Sequence, residues 1–323
     1  MRNDKVLRIS VTDRCDLRCI YCMPESGVTL VSPGELLTYE EIERVAAAAA
    51  KVGVRRFRIT GGEPLVRRGI EKLVEMLGRL GPDDLALTTN GLHLGEMAAT
   101  LKAAGLKRVT VSLDTLRRDR FETITRRTGF PRILEGLEAA RRAGFHPIKV
   151  NTVVIRGIND DEIEGFVRFA EREKVEVRFI ELMPTSGLSP ECKDLGRWRP
   201  ALFVKGNEIQ ERIATAFGPI ECCPNEDGVA KVYRTKLGTR VGIITPISDP
   251  FCRGCERLRL SADGRLKLCL FDGEGIHMKK ILRESRPSDD VIAGLLRAAL
   301  GEKEKWERGS LALLSSEMFK IGG

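Results

Sequence analysis

Three cysteines near the N-terminus, Cys15, Cys19 and Cys22, stand in the run Cys-Asp-Leu-Arg-Cys-Ile-Tyr-Cys with the spacing C-x3-C-x2-C. Soft sulfur donors select zinc, copper(I) or iron–sulfur clusters. Structural zinc closes with four ligands, and a four-iron cluster usually takes one Cys per iron. A loop offering three thiolates therefore leaves one coordination position for a ligand other than the protein.

A second set, Cys252, Cys255 and Cys269, has the spacing C-x2-C-x13-C and again stops at three. A zinc ribbon would require a second C-x2-C pair. Three readings stay open at this point: a three-Cys cluster, a four-ligand zinc or iron–sulfur site completed by Cys222 or Cys223, or ordinary thiols. Cys192 lies in a Pro-, Gly- and charge-rich stretch and is expected to be unligated. Two open sites would be unusual for structural metal, which is coordinatively closed.

These loops need a scaffold. The chain has 323 residues, of which 42% are hydrophobic and 31% charged, as in a soluble globular protein. That length suits a barrel of about 200–250 residues plus an appendage. No apolar run approaches membrane-span length, so neither a span nor membrane association is expected. The start, Met1 to Lys5, lacks an apolar signal region. Nine Cys without a signal point to a reducing, cytoplasmic location, where thiols serve metals or catalysis.

Apolar runs alternate with amphipathic stretches over the first two-thirds. Strands are predicted at 6–11, 56–60, 85–89, 108–113, 148–155 and 176–182, and helices at 40–52, 69–80, 95–104, 132–143 and 160–173. Thr38 reads as an N-cap with Glu41 at the third helical position. Six βα units imply an α/β fold: a partial (βα)6 TIM-type barrel over residues 1–184. Residues 185–323 are read as a linker and a largely β appendage carrying the second cysteine set. Its elements are a helix at 208–217 and strands at 230–234, 239–245, 257–261 and 265–271, with Cys269 ending the last. Chemistry in such barrels sits at the C-terminal ends of strands. The Cys15 loop, Gly61-Gly62-Glu63-Pro64, Thr89-Asn90-Gly91, Ser112-Leu113-Asp114 and Glu181-Leu182-Met183 all fall there.

The net charge of +8 fits nucleic acid, a small anionic substrate or simply a basic, ion-paired surface. An aromatic content of 5% disfavours base-stacking platforms, and no nucleic-acid partner is expected. Arg8, Arg58, Lys149 and Arg178 lie on predicted strands, and Arg257 and Arg259 alternate onto one face. Outward pairing with helix acids is one reading. A barrel lumen ringed by cations and holding a triphosphate is the other. The terminal Gly322-Gly323 reads as a frayed end, or as a tail slim enough to enter a narrow cavity.

The Cys15-x3-Cys19-x2-Cys22 motif, Tyr21 before its third Cys, and the Gly-Gly-Glu-Pro run resemble the radical S-adenosylmethionine (SAM) superfamily. Further stretches, including Leu7 to Cys15, Arg178 to Glu181, Phe251 to Leu260 and the Gly-Gly tail, resemble the GTP 3′,8-cyclase family of molybdenum cofactor biosynthesis. That resemblance implies two [4Fe-4S] clusters, on Cys15, Cys19 and Cys22 and on Cys252, Cys255 and Cys269, with SAM on the first and the guanine of GTP on the second. It implies SAM contacts at Tyr21, Gly62, Ser112 and Met183, and GTP contacts at Arg8, Arg58, Thr88, Lys149, Arg257, Leu258 and Arg259. Arg178, Gly322 and Gly323 match catalytic elements. It also implies an electron donor, a downstream cyclic pyranopterin monophosphate synthase and compatibility with a homodimer. Asp16, where the family commonly has Asn, the short leader and the stretch 185–205 depart from its pattern. Outside this family, the competing readings are a radical enzyme that modifies peptides and a zinc-binding or redox-sensing protein without catalysis.

Overall fold

The structure is a computed structural model that describes residues 5–184, 200–224, 229–252, 255–273, 275–305 and 318–321. Cys192, Gly322, Gly323 and the stretch 185–199 lie outside the described residues.

Strands β1 (Val6–Ser10), β2 (Arg56–Thr60), β3 (Asp84–Thr89), β4 (Arg108–Ser112), β5 (Lys149–Val154) and β6 (Glu176–Glu181) pair in that order, all parallel. Between them run α1 (Tyr39–Lys51), α2 (Ile70–Arg79), α3 (Leu94–Ala103), α4 (Arg118–Thr125), α5 (Phe130–Arg142) and α6 (Ile163–Glu173). The five predicted helices thus appear with ends shifted by a few residues. α4 is an addition: only Phe121, Ile124 and Thr125 of its eight residues are buried, too few for a clear helical stripe. α1 begins with the expected capping box, the Glu41 N–H donating to Thr38 Oγ1 at 3.2 Å and the Thr38 N–H to Glu41 Oε2 at 2.8 Å.

Beyond β6 come α7 (Gly206–Phe217), β7 (Glu221–Cys223), β8 (Lys231–Arg234), β9 (Arg240–Ile244), β10 (Arg257–Leu260), β11 (Arg265–Lys267), β12 (Ile276–His277), α8 (Met278–Lys280) and α9 (Asp289–Lys305). These strands continue the barrel sheet on both sides. β9 adds in parallel to β6 and β10 in parallel to β1, while β8–β7 and β11–β12 follow antiparallel at the two edges. The predicted strand at 265–271 is shorter than expected. Asp272 Oδ2 accepts from the Leu268 N–H at 2.8 Å and bends the chain, so Cys269 follows the strand in a turn rather than ending it. No helix among the described residues is long and apolar enough to cross a membrane.

Strand alternation explains what this sheet can hold. Leu7, Ile9, Phe57, Ile59, Leu87, Val109, Val150, Val177 and Phe179 are fully buried in the hydrophobic core. Each such side chain contributes about 1.5–3 kcal/mol of burial. The alternate residues, Arg8, Arg58, Thr88, Thr110, Lys149 and Arg178, line a cavity. A packed barrel core takes branched aliphatics in its lumen; here the lumen is polar and cationic.

Candidate active site

At the C-terminal ends of the strands, a cavity of about 1230 Å³ is lined by Cys15, Cys19, Cys22, Tyr21, Gly62, Ser112 and Met183. The Cys22 and Met23 N–H groups both donate to the Cys19 carbonyl, at 2.9 and 3.0 Å, and turn the chain between the second and third thiols. α4 holds the loop from outside, with Arg18 N–H on Thr125 O and Ile20 N–H on Ile124 O, both at 2.9 Å. The Gly-Gly-Glu-Pro run meets it from β2: Gly62 N–H donates to Thr12 O at 2.6 Å and Glu63 N–H to Arg14 O at 2.7 Å.

Two buried carboxylates tie this cavity together. Glu63 accepts from Leu65 N–H, Thr89 Oγ1 and Asn90 N–H at 3.0, 2.7 and 2.6 Å, yet burial raises its pKa to about 7. Asp114 accepts from Tyr21 Oη at 2.6 Å and Val153 N–H at 2.8 Å, and burial raises it to about 6. Burial also pushes the Cys22 thiol up to about 12, and moves those of Cys15 and Cys19 upward. Thiols this basic are protonated on their own, and a bound metal centre inverts that preference and displaces the protons. Soft donors facing one cavity suit an iron–sulfur cluster. Among the described residues no three His, Cys, Asp or Glu side chains converge on a single-ion site. A cluster, which takes each thiolate on a different iron, does not require that.

Below it lies a cavity of about 1300 Å³ whose walls include Cys252, Cys255, Cys269 and the side chains of Arg8, Arg58, Lys149, Arg178, Arg257 and Arg259. The Cys255 N–H donates to the Cys252 carbonyl at 3.1 Å. Thr88, Asn151, Ile180 and Met183 line both cavities, so the two share a wall. Leu258 differs from its neighbours. Alternation turns its side chain into the core, away from the cavity, so only its backbone could meet a ligand. Cys222 and Cys223 sit on β7 at the sheet edge and line neither cavity, which leaves the second set without them as a fourth ligand.

The cations burden one another. Burial first, and then Arg178 and Arg108, push Lys149 down to about 6; burial and neighbouring guanidiniums bring Arg58 and Arg257 to about 10 and lower Arg8 as well. Carboxylates behind the wall hold some of them in place. Glu176 is salt-bridged to Arg178 at 2.7 Å and to Arg240 at 3.3 Å. Gly242, next to Arg178 in the sheet, gives it room, since a Cβ there would meet Arg178 Cγ at 2.9 Å.

Comparison with known proteins fits this geometry. Residues 9–170 match the radical SAM superfamily, and residues 175–308 match the family described as Molybdenum Cofactor Synthesis C. A GTP 3′,8-cyclase of Pelotomaculum thermopropionicum is 48% identical over 302 residues, covering 92% of this chain and 90% of that protein. The chain belongs to the GTP 3′,8-cyclase family. Another member, from Peptoclostridium acidaminophilum, is 42% identical over 327 residues, covering 100% of this chain and 96% of that protein. Among solved structures, Streptococcus suis SuiB bound to S-adenosylmethionine aligns with a TM-score of 0.61 at 16% identity, over 91% of this chain and 67% of that one. That likeness is one of fold.

For a member of this cyclase family, Lys149 carries a pH signature. With a pKa of about 6 it is largely neutral at neutral pH, and a polyanion beside it favours the charged form. GTP binding should therefore take up a proton, and affinity should fall as pH rises above about 6. Calorimetry in buffers of different ionisation enthalpy measures the uptake. Binding without uptake would remove Lys149 from the anion site.

Sequence reasoning missed Arg108, Thr110, Asn151 and Lys303, all in the cationic cavity wall. Arg108 and Thr110 were within reach, because they share the alternating face of Ser112 on β4. Lys303 gives no signal of its own, because only the packing of α9 brings it to the cavity.

Proposed function

We propose that the chain converts GTP to (8S)-3′,8-cyclo-7,8-dihydroguanosine 5′-triphosphate, the first step of molybdenum cofactor biosynthesis, as a radical SAM lyase. The observation that carries this reading is the pair of cysteine-lined cavities joined through Thr88, Asn151, Ile180 and Met183, one of them ringed by cations.

In this reading Cys15, Cys19 and Cys22 hold one [4Fe-4S] cluster, and SAM lies against Tyr21, Gly62, Ser112 and Met183. Cys252, Cys255 and Cys269 hold the second cluster beside GTP. A cluster held by Cys15, Cys19 and Cys22, with SAM bound, would supply radical chemistry capable of removing a hydrogen atom from the ribose of GTP. The chain's own part is position and exclusion of water. Arg8, Arg58, Lys149, Arg257 and Arg259 bind the phosphates, the Leu258 backbone lies between two of them, and Thr88 stands at the shared wall. Arg178, half-buried and braced by Glu176, acts on the reacting nucleotide together with the Gly322-Gly323 tail.

The division of the chain falls near residue 184, with the SAM-binding barrel before it and the second-cluster portion after it. Thiols that serve metal clusters fit a reducing, cytoplasmic setting, and in this reading the enzyme draws electrons from an external donor and passes its product to cyclic pyranopterin monophosphate synthase. Anaerobic incubation of cluster-loaded protein with GTP, SAM and a reductant tests the reading. A new GTP-derived nucleotide, resolved by chromatography and mass spectrometry, is the expected result. Deoxyadenosine without any such nucleotide would overturn it.

A further inference from the structure

β3 lies between β2 and β4, and its first residue, Asp84, reaches to both. Arg58 Nη1 and Arg108 Nη2 each donate to Asp84 Oδ2, and Arg108 Nε donates to Oδ1 at 2.8 Å. The three side chains are only 14, 16 and 12% exposed for Arg58, Arg108 and Asp84. Burial opposes ionisation of Asp84, but the two guanidiniums hold its pKa at about 2. It therefore stays charged at any working pH. One carboxylate shared by two guanidiniums leaves a net positive pair, so its effect is on their orientation more than on their charge.

The register shows what that orientation achieves. Arg259, Arg8, Arg58, Ala86 and Arg108 lie side by side across β10, β1, β2, β3 and β4. All five line the cationic cavity. Four of the five are arginines, and the break in the row is Ala86. Neighbouring strands are about 4.8 Å apart, so the backbones of β2 and β4 stand roughly 10 Å apart on either side of Ala86, while the two guanidiniums converge on Asp84 Oδ2. Each planar fork carries further N–H groups besides those that meet Asp84, and both side chains line the cavity, so the pair can present donors to a phosphate.

We infer that Arg108 is a further contact for the phosphate chain of GTP, and that Asp84 is the positioning residue that fixes the Arg58 and Arg108 forks in the cavity wall beside Ala86. This rests on the GTP reading above. If Asp84 served only to close the floor of the barrel, Arg108 would be indifferent to the number of phosphates on the ligand.

Equilibrium binding of GTP and GMP to cluster-loaded protein under anaerobic conditions separates the two. Arg108→Ala leaves the Arg58–Asp84 pair in place and should weaken GTP about tenfold or more while changing GMP by less than about twofold. Arg108→Lys, which keeps the charge and loses the fork, should fall between. Ala86→Leu, which fills the floor, and Asp84→Asn, which frees both forks, should follow Arg108→Ala in sparing GMP. Equal weakening of GTP and GMP by Arg108→Ala, or no weakening of either, would overturn the inference while leaving the GTP reading in place. A wild-type protein that binds neither nucleotide would overturn both.

Discussion

Cys255→Ser should abolish conversion of GTP while SAM cleavage continues at a reduced rate. Cys255 lines the cationic cavity with Cys252 and Cys269, and none of the three lines the cavity of Cys15, Cys19 and Cys22. Oxygen is a harder, poorer ligand for iron than sulfur. Changes in the surroundings of a metal ligand cost about 10–100-fold, so removal of the ligand itself should cost more. Iron should drop from roughly eight to roughly four per chain, with the remaining cluster still responsive to SAM. Measuring deoxyadenosine, nucleotide product and iron on the same sample checks all three. Equal loss of both activities with all iron gone would mean that the two sites are not separable.

Gly62→Ala should have the opposite selectivity, striking the SAM side first. A Cβ at Gly62 would sit 2.3 Å from the Arg14 carbonyl oxygen, 2.7 Å from its carbon and 3.0 Å from the carbonyl carbon of Asp13. All three are backbone atoms, so the segment leading into Cys15 must move. That segment is also stitched to the same run by the Gly62 and Glu63 N–H groups. Overpacking of this kind costs about 1–3 kcal/mol, and a displacement of about 1 Å in a catalytic site can cost on the order of 10²-fold in rate. SAM cleavage should fall by about that factor, with a small loss of thermal stability. Gly294→Ala in α9, where nothing lies within 4 Å of the added carbon, is the control and should leave cleavage unchanged. Wild-type cleavage rates in Gly62→Ala would show that the loop has slack the geometry does not suggest.

Much of this site is local in sequence, which is why it was legible. The thiol spacing, the strands' alternation and the loops at their C-terminal ends are all short-range patterns. They placed Arg8, Arg58, Lys149 and Arg178 on strands, and the structure turns all four into one lumen. What stayed hidden depends on distant pairing. That β10 joins β1, bringing Arg259 beside Arg8 and the second cysteines under the first, is a contact across most of the chain. The alternation of β4 puts Arg108 on the cavity face, but its pairing with Asp84 of the neighbouring strand is not written in either strand alone. α4 leaves little trace in the sequence because its buried face is thin, although its end holds the Cys15–Cys22 loop. The placement of Cys269 turned on one side-chain bond, from Asp272, that no periodicity encodes.

In the proposed reaction, SAM chemistry in the upper cavity acts on GTP held in the lower one. GTP deuterated at C3′, incubated anaerobically with cluster-loaded protein, SAM and a reductant, tests it most directly. Deuterium should appear in the deoxyadenosine, in step with formation of the cyclised nucleotide. Deoxyadenosine that carries no deuterium while the labelled GTP is recovered unchanged would contradict it.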